Sequence, residues 1–210
     1  HNPNNDLKDE NYSPAQVLLQ LEESLRALQT DYIDVYQLHS AADEWFDNDA
    51  LWTMLGKQVD AGKVRHLGNS VPLANAQHQV PRSRDFGISV IQVPYNALLT
   101  KAEEVVLPEA QRQDLGVIAR TPLASGFLSG KYQPGQVFES NDVRSWRPQK
   151  GLDREINAAH RALQQRPAHM EAVAWANAWC LQQPRVSAVI PGIKSVAQVH
   201  SNALAGDITL

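Results

Sequence analysis

Cysteine is almost absent from this 210-residue sequence, in which Cys180 is the single example. One cysteine excludes an internal disulfide and a metal site built from several cysteines. Such low usage is typical of proteins from a reducing compartment, and we therefore predict a cytoplasmic location. Cys180 lies in an apolar run with helical spacing, so we predict that its side chain is part of the core.

Long apolar runs and an excess of charge are also lacking. No run is long enough to cross a membrane, and residues 1–11 lack the charged start and apolar block of a signal peptide. A formal net charge of −4 and a pI near 6.0 give no reason to expect nucleic acid or an anionic membrane as a partner. The sequence begins without methionine, in a segment typical of a loop, and we expect further residues upstream.

What the sequence does contain is an alternation of strand and helix patterns. Its hydrophobic content of 43% is enough for one sizeable core. Short apolar segments separated by helical patterns predict strands at Ile33–Leu38, Lys63–Leu67, Ser89–Val93, Val117–Ala119 and Ser187–Ile190. Strands joined through helices by short connections form parallel sheets, so the pattern predicts an α/β fold.

His39 follows the first predicted strand directly. In parallel α/β folds the carboxyl ends of the strands face the ligand, and an imidazole there is a candidate for acid–base chemistry. The alternative is a structural histidine at a strand end. The polar loop after it, from Ala41 to Asn48, contains Trp45 and Phe46, which are candidates for the wall of a substrate site. Trp52, Trp175 and Trp179 have helical spacing with other apolar residues and are predicted to be core.

The segment from Thr121 to Arg147 breaks the alternation. It holds several glycines and prolines among few periodic residues, and long loops of this kind are usually functional. We therefore predict that it covers a ligand.

Five segments together resemble the aldo-keto reductase family, in the order and spacing of that family. They are Thr30–His39 with Ser24–Arg26, Gly62–Gly68, Gln92–Asn96, Pro122–Tyr132, and Val189–Gly192 with Gln198, Val199 and Asn202. The resemblance implies a (β/α)8 TIM barrel of which this chain holds the later strands, about the fourth to the eighth, as one incomplete domain. It also implies metal-free, NADPH-dependent reduction of aldehydes or ketones, with a small carbonyl compound as substrate.

The family uses a tyrosine, a lysine, an aspartate and a histidine for catalysis, and only the histidine has a counterpart here, His39. Hydride transfer builds negative charge on the carbonyl oxygen, which therefore needs a proton donor with a tuned pKa. We expect the 210 residues alone to be inactive and, because an incomplete barrel has open edges, to oligomerise. The alternatives are a regulatory barrel subunit that binds NADPH without catalysis, and an inactive truncated product.

The resemblance also assigns a set of cofactor contacts. Ser70 and Gln92 match the residues that hold the nicotinamide amide, and Arg120 matches a position beside the nicotinamide ring. The pyrophosphate loop is matched by Thr121, Leu123, Ser125, Gly126, Leu128 and Lys131, and the adenosine side by Gly192, Lys194, Ser195, Gln198 and Asn202. Lys194 is the implied 2′-phosphate contact, which favours NADPH. For three of these the simpler alternatives are a polar strand end at Gln92, a salt bridge at Arg120 and a solvated surface lysine at Lys131.

Overall fold

The computed structural model describes residues 12–210 and has an α/β fold with a parallel sheet of five strands, as the alternation predicts. The strands are β1 (Ile33–His39), β2 (Val64–Ser70), β3 (Ile88–Pro94), β4 (Gly116–Arg120) and β5 (Val186–Ile190), and their order in the sheet is their order in the chain. Strand β2 extends to Ser70, beyond the predicted end at Leu67. Residues 1–11, for which the sequence predicts a loop and no signal peptide, lie outside the described residues.

Helices separate the strands. They are α1 (Pro14–Leu28), α2 (Asp43–Phe46), α3 (Asp49–Asp60), α4 (Ala76–Gln79), α5 (Val106–Gln113), α6 (Gln149–Leu163), α7 (Ala172–Leu181) and α8 (Val196–Ala203). Turns of 3₁₀ helix occur at Val80–Phe86, Lys101–Glu103, Ala124–Ser129, Val143–Trp146 and Leu204–Asp207. Among residues 12–210, no helix is both long enough and apolar enough to cross a membrane.

The chain divides into two compact units, His1–Gln92 with Pro108–Gly116, and Val93–Leu107 with Val117–Leu210. In the first unit, helix α1 begins as its sequence predicts, because the Ser13 side chain accepts a hydrogen bond from the Gln16 N–H and Pro14 occupies the first helical position. Its apolar stripe of Val17, Leu21 and Leu25 is buried.

An aromatic cluster of Phe46, Trp52 and Phe86 fills part of the first unit. The Phe46 ring centroid lies 5.7 Å from that of Trp52 and 5.1 Å from that of Phe86, and the Trp52 indole N–H donates to the Phe46 carbonyl. Phe46 is fully buried, whereas the sequence predicts that it lines a substrate site in a loop. That prediction is wrong, because α2 forms within the predicted loop and turns the ring inward. Trp52 is buried, as predicted.

The second unit is built around a cluster to which the predicted ligand-covering loop contributes. Buried residues of the cluster are Phe127, Leu128, Leu152, Ile156, Ala159, Trp175 and Ala176. The core predictions for Trp175 and Cys180 are confirmed, and Trp179 packs against the cluster while partly buried. The segment from Thr121 to Arg147 is therefore anchored in the core through Phe127 and Leu128 and contains two 3₁₀ turns, which its glycines and prolines did not predict.

Candidate functional site

Three predicted site residues of the first unit stand in one row across adjacent strands. His39 is opposite Ser70 in the β1–β2 register, and Ser70 is opposite Gln92 in the β2–β3 register. All three strands are parallel, so the row lies at or near their carboxyl ends, where such sheets hold ligands. The sequence predicted His39 and Gln92 at or near strand ends, whereas it placed the end of the second strand at Leu67, before Ser70. The register aligns the three residues.

Ser70 fits the predicted contact with an amide of the cofactor. Its residue is fully buried, and its hydroxyl has no hydrogen-bond partner among the described residues. Buried polar atoms without partners are rare in folded proteins and demand a reason. A hydroxyl can donate and accept, so the carboxamide of a ligand would supply the missing partner.

Gln92 is held in place by Gln37, a residue that the sequence analysis missed. The Gln92 side-chain NH₂ donates to the Gln37 side-chain oxygen at 3.0 Å. Gly68 lies opposite Gln37, and a Cβ there would be 2.7 Å from the Gln37 Cγ, so a side chain at position 68 would push Gln37 away. Gln37 could have been identified in the sequence from the alternation of side chains along a strand, which puts it on the same face as His39.

His39 is exposed, and its backbone carbonyl accepts a hydrogen bond of 3.0 Å from the Tyr12 hydroxyl. The Tyr12 ring stacks on Trp45 with centroids 5.8 Å apart and an angle of 23° between the planes. Trp45 is half-buried and lies in α2, so the aromatic pair stands beside the histidine. Trp45 thus keeps its place as a candidate for the substrate wall, together with Tyr12, which the sequence analysis did not select.

A buried amide network fixes the segment that carries Trp45. The Gln79 side chain is fully buried and donates to the Ala41 carbonyl at 3.0 Å and to the Asp43 carboxylate at 2.8 Å. It also accepts from the Asn69 side chain at 2.9 Å. Asn75 adds a second hydrogen bond to Asp43. Helix α4 and strand β2 thereby hold the start of α2.

Replacing Gln79 with alanine should lower the free energy of unfolding by about 2 to 3 kcal/mol, because it leaves the Asn69 amide and the Ala41 carbonyl without partners. The matched control is Gln77→Ala on the same helix, where the side chain is exposed and the expected change is below about 0.5 kcal/mol. Urea denaturation measures both. Equal effects of the two substitutions would contradict the importance of the network.

Arg120, in the second unit, ends β4 and pairs with Ile190 of β5. Its guanidinium makes no salt bridge to any residue that the structure describes, and its buried Nε has no hydrogen-bond partner. Burial lowers the pKa of Arg120, although the side chain stays charged near neutral pH. The alternative of a structural salt bridge is therefore wrong, and an unpaired cation at a strand end suits an anionic or aromatic ligand.

The predicted pyrophosphate loop follows Arg120 in a strained conformation. Thr121, Ala124 and Ser125 have φ angles of 55°, 47° and 58°, a left-handed region that non-glycine residues adopt rarely, and Gly126 has 88°. Strain of this kind clusters at functional sites. Thr121, Ser125 and Lys131 are exposed, and Leu123 is half-buried. The Thr121 carbonyl accepts from the Asn96 side chain at 2.9 Å.

One member of this loop, Leu128, differs from its predicted use, and two backbone N–H groups of the loop are already paired. The backbone N–H groups of Gly126 and Leu128 both donate to the Leu123 carbonyl, at 2.8 and 3.2 Å, so they are already occupied. The Leu128 side chain is fully buried in the core cluster. Leu128 therefore anchors the loop, and the prediction of a cofactor contact there is not retained. The ammonium of Lys131 lies 4.8 Å from the centre of the Tyr132 ring.

Helix α8 presents the predicted adenosine side. Ser195 caps the helix by accepting from the Gln198 N–H, and the Gln198 side chain accepts from the Lys194 N–H at 2.5 Å. Gly192, Lys194, Ser195 and Gln198 are exposed. Asn202 accepts from the buried Asn177, while its own side-chain NH₂ is buried without a partner. The orphaned donor of Asn202 fits a nitrogen or oxygen acceptor on a ligand.

The sequence as a whole matches one family model, which is described as the aldo/keto reductase family and covers residues 4–210. The chain belongs to the aldo/keto reductase family. Two curated relatives illustrate the likeness. An uncharacterized oxidoreductase of Bacillus subtilis, YrpG, is 34% identical over 196 residues, which are 90% of this chain and 58% of that protein. An aldo-keto reductase of Schizosaccharomyces pombe, named as NADP(+)-dependent, is 27% identical over 204 residues, 91% of this chain and 58% of that protein.

Solved aldo-keto reductase structures share the fold. The glycerol dehydrogenase of Gluconobacter oxydans aligns with a TM-score of 0.78 at 27% identity, over 95% of this chain and 61% of that one. The chain thus spans about three fifths of the length of the family members to which it is similar.

Proposed function

We propose that this chain binds NADPH as part of an enzyme that reduces aldehydes or ketones to alcohols. The observation that carries the proposal is the unpaired guanidinium of Arg120 at the end of β4, directly before a loop in a left-handed conformation. A partly buried cation without a counter-ion costs free energy, which a cofactor bearing phosphates and an aromatic ring would offset. When bound, the cofactor supplies a hydride.

The remaining residues take the following roles in this proposal. Ser70 and Gln92 hold the carboxamide of the nicotinamide, and Gln37 fixes the orientation of Gln92. Thr121, Leu123, Ser125, Gly126 and Lys131 form the pyrophosphate loop, and Gly192, Lys194, Ser195, Gln198 and Asn202 form the adenosine side. His39 donates a hydrogen bond to the carbonyl of a small substrate, and Trp45 lines its site.

The strands β1 to β5 correspond, in the proposal, to the fourth to eighth strands of a (β/α)8 barrel. The family resemblance implies a catalytic tyrosine, lysine, aspartate and histidine, and of these four groups the 210 residues contain a counterpart only of the histidine. A carbonyl reduced without a tuned proton donor gains little from hydrogen bonding alone. We therefore propose that the 210-residue chain binds NADPH and reduces carbonyl compounds slowly or not at all.

Lys194→Ala tests the assignment of the cofactor. The exposed Lys194 ammonium is the proposed partner of the 2′-phosphate, which NADH lacks. We expect the substitution to raise the dissociation constant of NADPH about tenfold and to leave that of NADH nearly unchanged, because one charge-assisted contact is lost. Fluorescence titration with each nucleotide measures this, with Lys150→Ala on α6 as a control. Equal losses for the two nucleotides would contradict the assignment.

A further inference from the structure

Arg144 belongs to a segment beyond the proposed cofactor loop, and three of its five side-chain N–H groups already have acceptors. Its Nε and Nη2 both pair with the Asp142 carboxylate, with the Nε contact at 2.8 Å. Asp142 also accepts from the Arg144 backbone N–H at 3.0 Å, which fixes the pair in a local turn. The remaining nitrogen, Nη1, donates to the backbone carbonyl of Ser125 at 3.2 Å.

Two aromatic rings also pack against the Arg144 guanidinium. Its central carbon lies 4.5 Å from the ring centres of both Tyr132 and Phe138, and only 15% of the side chain is exposed. A guanidinium recognises phosphate through its in-plane N–H groups and aromatic rings through its faces. Here Asp142 and Ser125 accept hydrogen bonds from all three nitrogens, and the two rings, whose centroids are 5.4 Å apart, pack on the guanidinium from neighbouring directions. Arg144 is thus unlike Arg120, whose Nε lacks a partner.

What Arg144 contacts is the most strained part of the proposed pyrophosphate loop. Ala124 and Ser125 are consecutive non-glycine residues with positive φ, followed by Gly126. A Cβ at position 126 would lie 3.5 Å from Nη1 of Arg144, so the guanidinium packs directly against this turn. Strained conformations persist only where surrounding contacts hold them. The hydrogen bond to the Ser125 carbonyl is such a contact.

We propose that Arg144 is a positioning residue for the cofactor and does not bind phosphate itself. Held by Asp142 and two aromatic rings, it fixes the left-handed turn Ala124–Gly126 in the conformation that receives the pyrophosphate. This inference rests on the proposed function. It assigns a role to the pair of Asp142 and Arg144.

Two substitutions separate positioning from direct phosphate binding. Arg144→Lys keeps the positive charge but loses the fork and the stacking. Asp142→Asn keeps Arg144 but frees its Nε and Nη2 for a ligand. If Arg144 positions the turn, both variants bind NADPH about tenfold more weakly, because pre-organisation is lost. If Arg144 binds phosphate, Arg144→Lys retains most of the affinity and Asp142→Asn increases it.

Isothermal titration of the 210-residue chain with NADPH measures these affinities at two salt concentrations, with Arg154→Lys, an exposed arginine of α6, as the control. Loss of a phosphate contact weakens the dependence of the dissociation constant on salt, whereas loss of positioning leaves that dependence unchanged. Unchanged or tighter binding by Asp142→Asn overturns the role of Arg144 alone. Absence of binding by the folded unsubstituted chain overturns the proposed function and this role with it.

Hydrogen exchange without nucleotide gives a second readout. We expect the amides of residues 121–130 to exchange faster in Arg144→Lys and Asp142→Asn than in the unsubstituted chain, while the amides of β4 and α7 exchange at unchanged rates. Unchanged exchange in residues 121–130 would contradict the role of Arg144 even if NADPH affinity falls. Faster exchange throughout the second unit would also contradict it, because the effect would then be a general loss of stability.

Discussion

Replacing Arg120 with methionine should weaken NADPH binding and stabilise the protein at the same time. The dissociation constant of NADPH is expected to rise about 30-fold, since the substitution removes a charge-assisted contact to the cofactor. The free energy of unfolding is expected to rise by about 1 kcal/mol, because a partly buried cation without a partner is replaced by an apolar side chain. The weaker NADPH binding and the higher stability follow from one observation: the buried Nε of Arg120 has no hydrogen-bond partner.

Titration calorimetry with NADPH and urea denaturation measure the two effects of Arg120→Met. Arg154→Met is the control, since this exposed arginine of α6 should change neither quantity appreciably. A large loss of stability in Arg120→Met would mean that Arg120 is structural. Unchanged affinity for NADPH would contradict the role of Arg120 on which the proposed function depends.

Leu128→Ala should cost about 3 to 5 kcal/mol of the free energy of unfolding. Leu128 is fully buried and packs in the core cluster of the second unit, so truncation leaves a cavity. The same side chain anchors the proposed cofactor loop, and NADPH affinity should therefore fall as well. The size of the stability loss distinguishes a core anchor from a residue that serves only to contact the cofactor.

The matched control for this prediction is Leu204→Ala, the same chemical change at a side chain that is 56% exposed. We expect it to alter the free energy of unfolding by less than about 1 kcal/mol. Urea denaturation of both variants provides the comparison. A loss below about 1 kcal/mol for Leu128→Ala would show that the loop is not anchored through this residue.

The sequence predicted the strand ends better than the residues between them. A buried strand that ends in a polar or charged residue is a local pattern, so the placement of His39, Gln92 and Arg120 at or near strand ends was predicted without the structure. Phe46 was misjudged because a helix of four residues, α2, has too few positions to show a period. Its aromatic partner Phe86 is 40 residues away in the sequence, and only the fold brings them together.

The sequence also did not predict the hydrogen-bond networks between polar side chains. In the sequence, Gln79 is an ordinary polar residue on a short helix. In the structure, its hydrogen bonds reach Ala41 and Asp43, which are 38 and 36 residues away. Such partners are set by tertiary packing, which local propensity does not encode. The proposed role of Arg144 likewise depends on the Ser125 carbonyl, which lies 19 residues earlier in the sequence.

Titration of the unsubstituted 210-residue chain with NADPH tests the central claim most directly. Far-UV circular dichroism first establishes that the chain is folded, and the same sample is then assayed for NADPH oxidation with a panel of aldehydes. We predict binding of one NADPH per chain, tighter than that of NADH, with little or no oxidation. A folded chain that binds neither nucleotide would contradict the account.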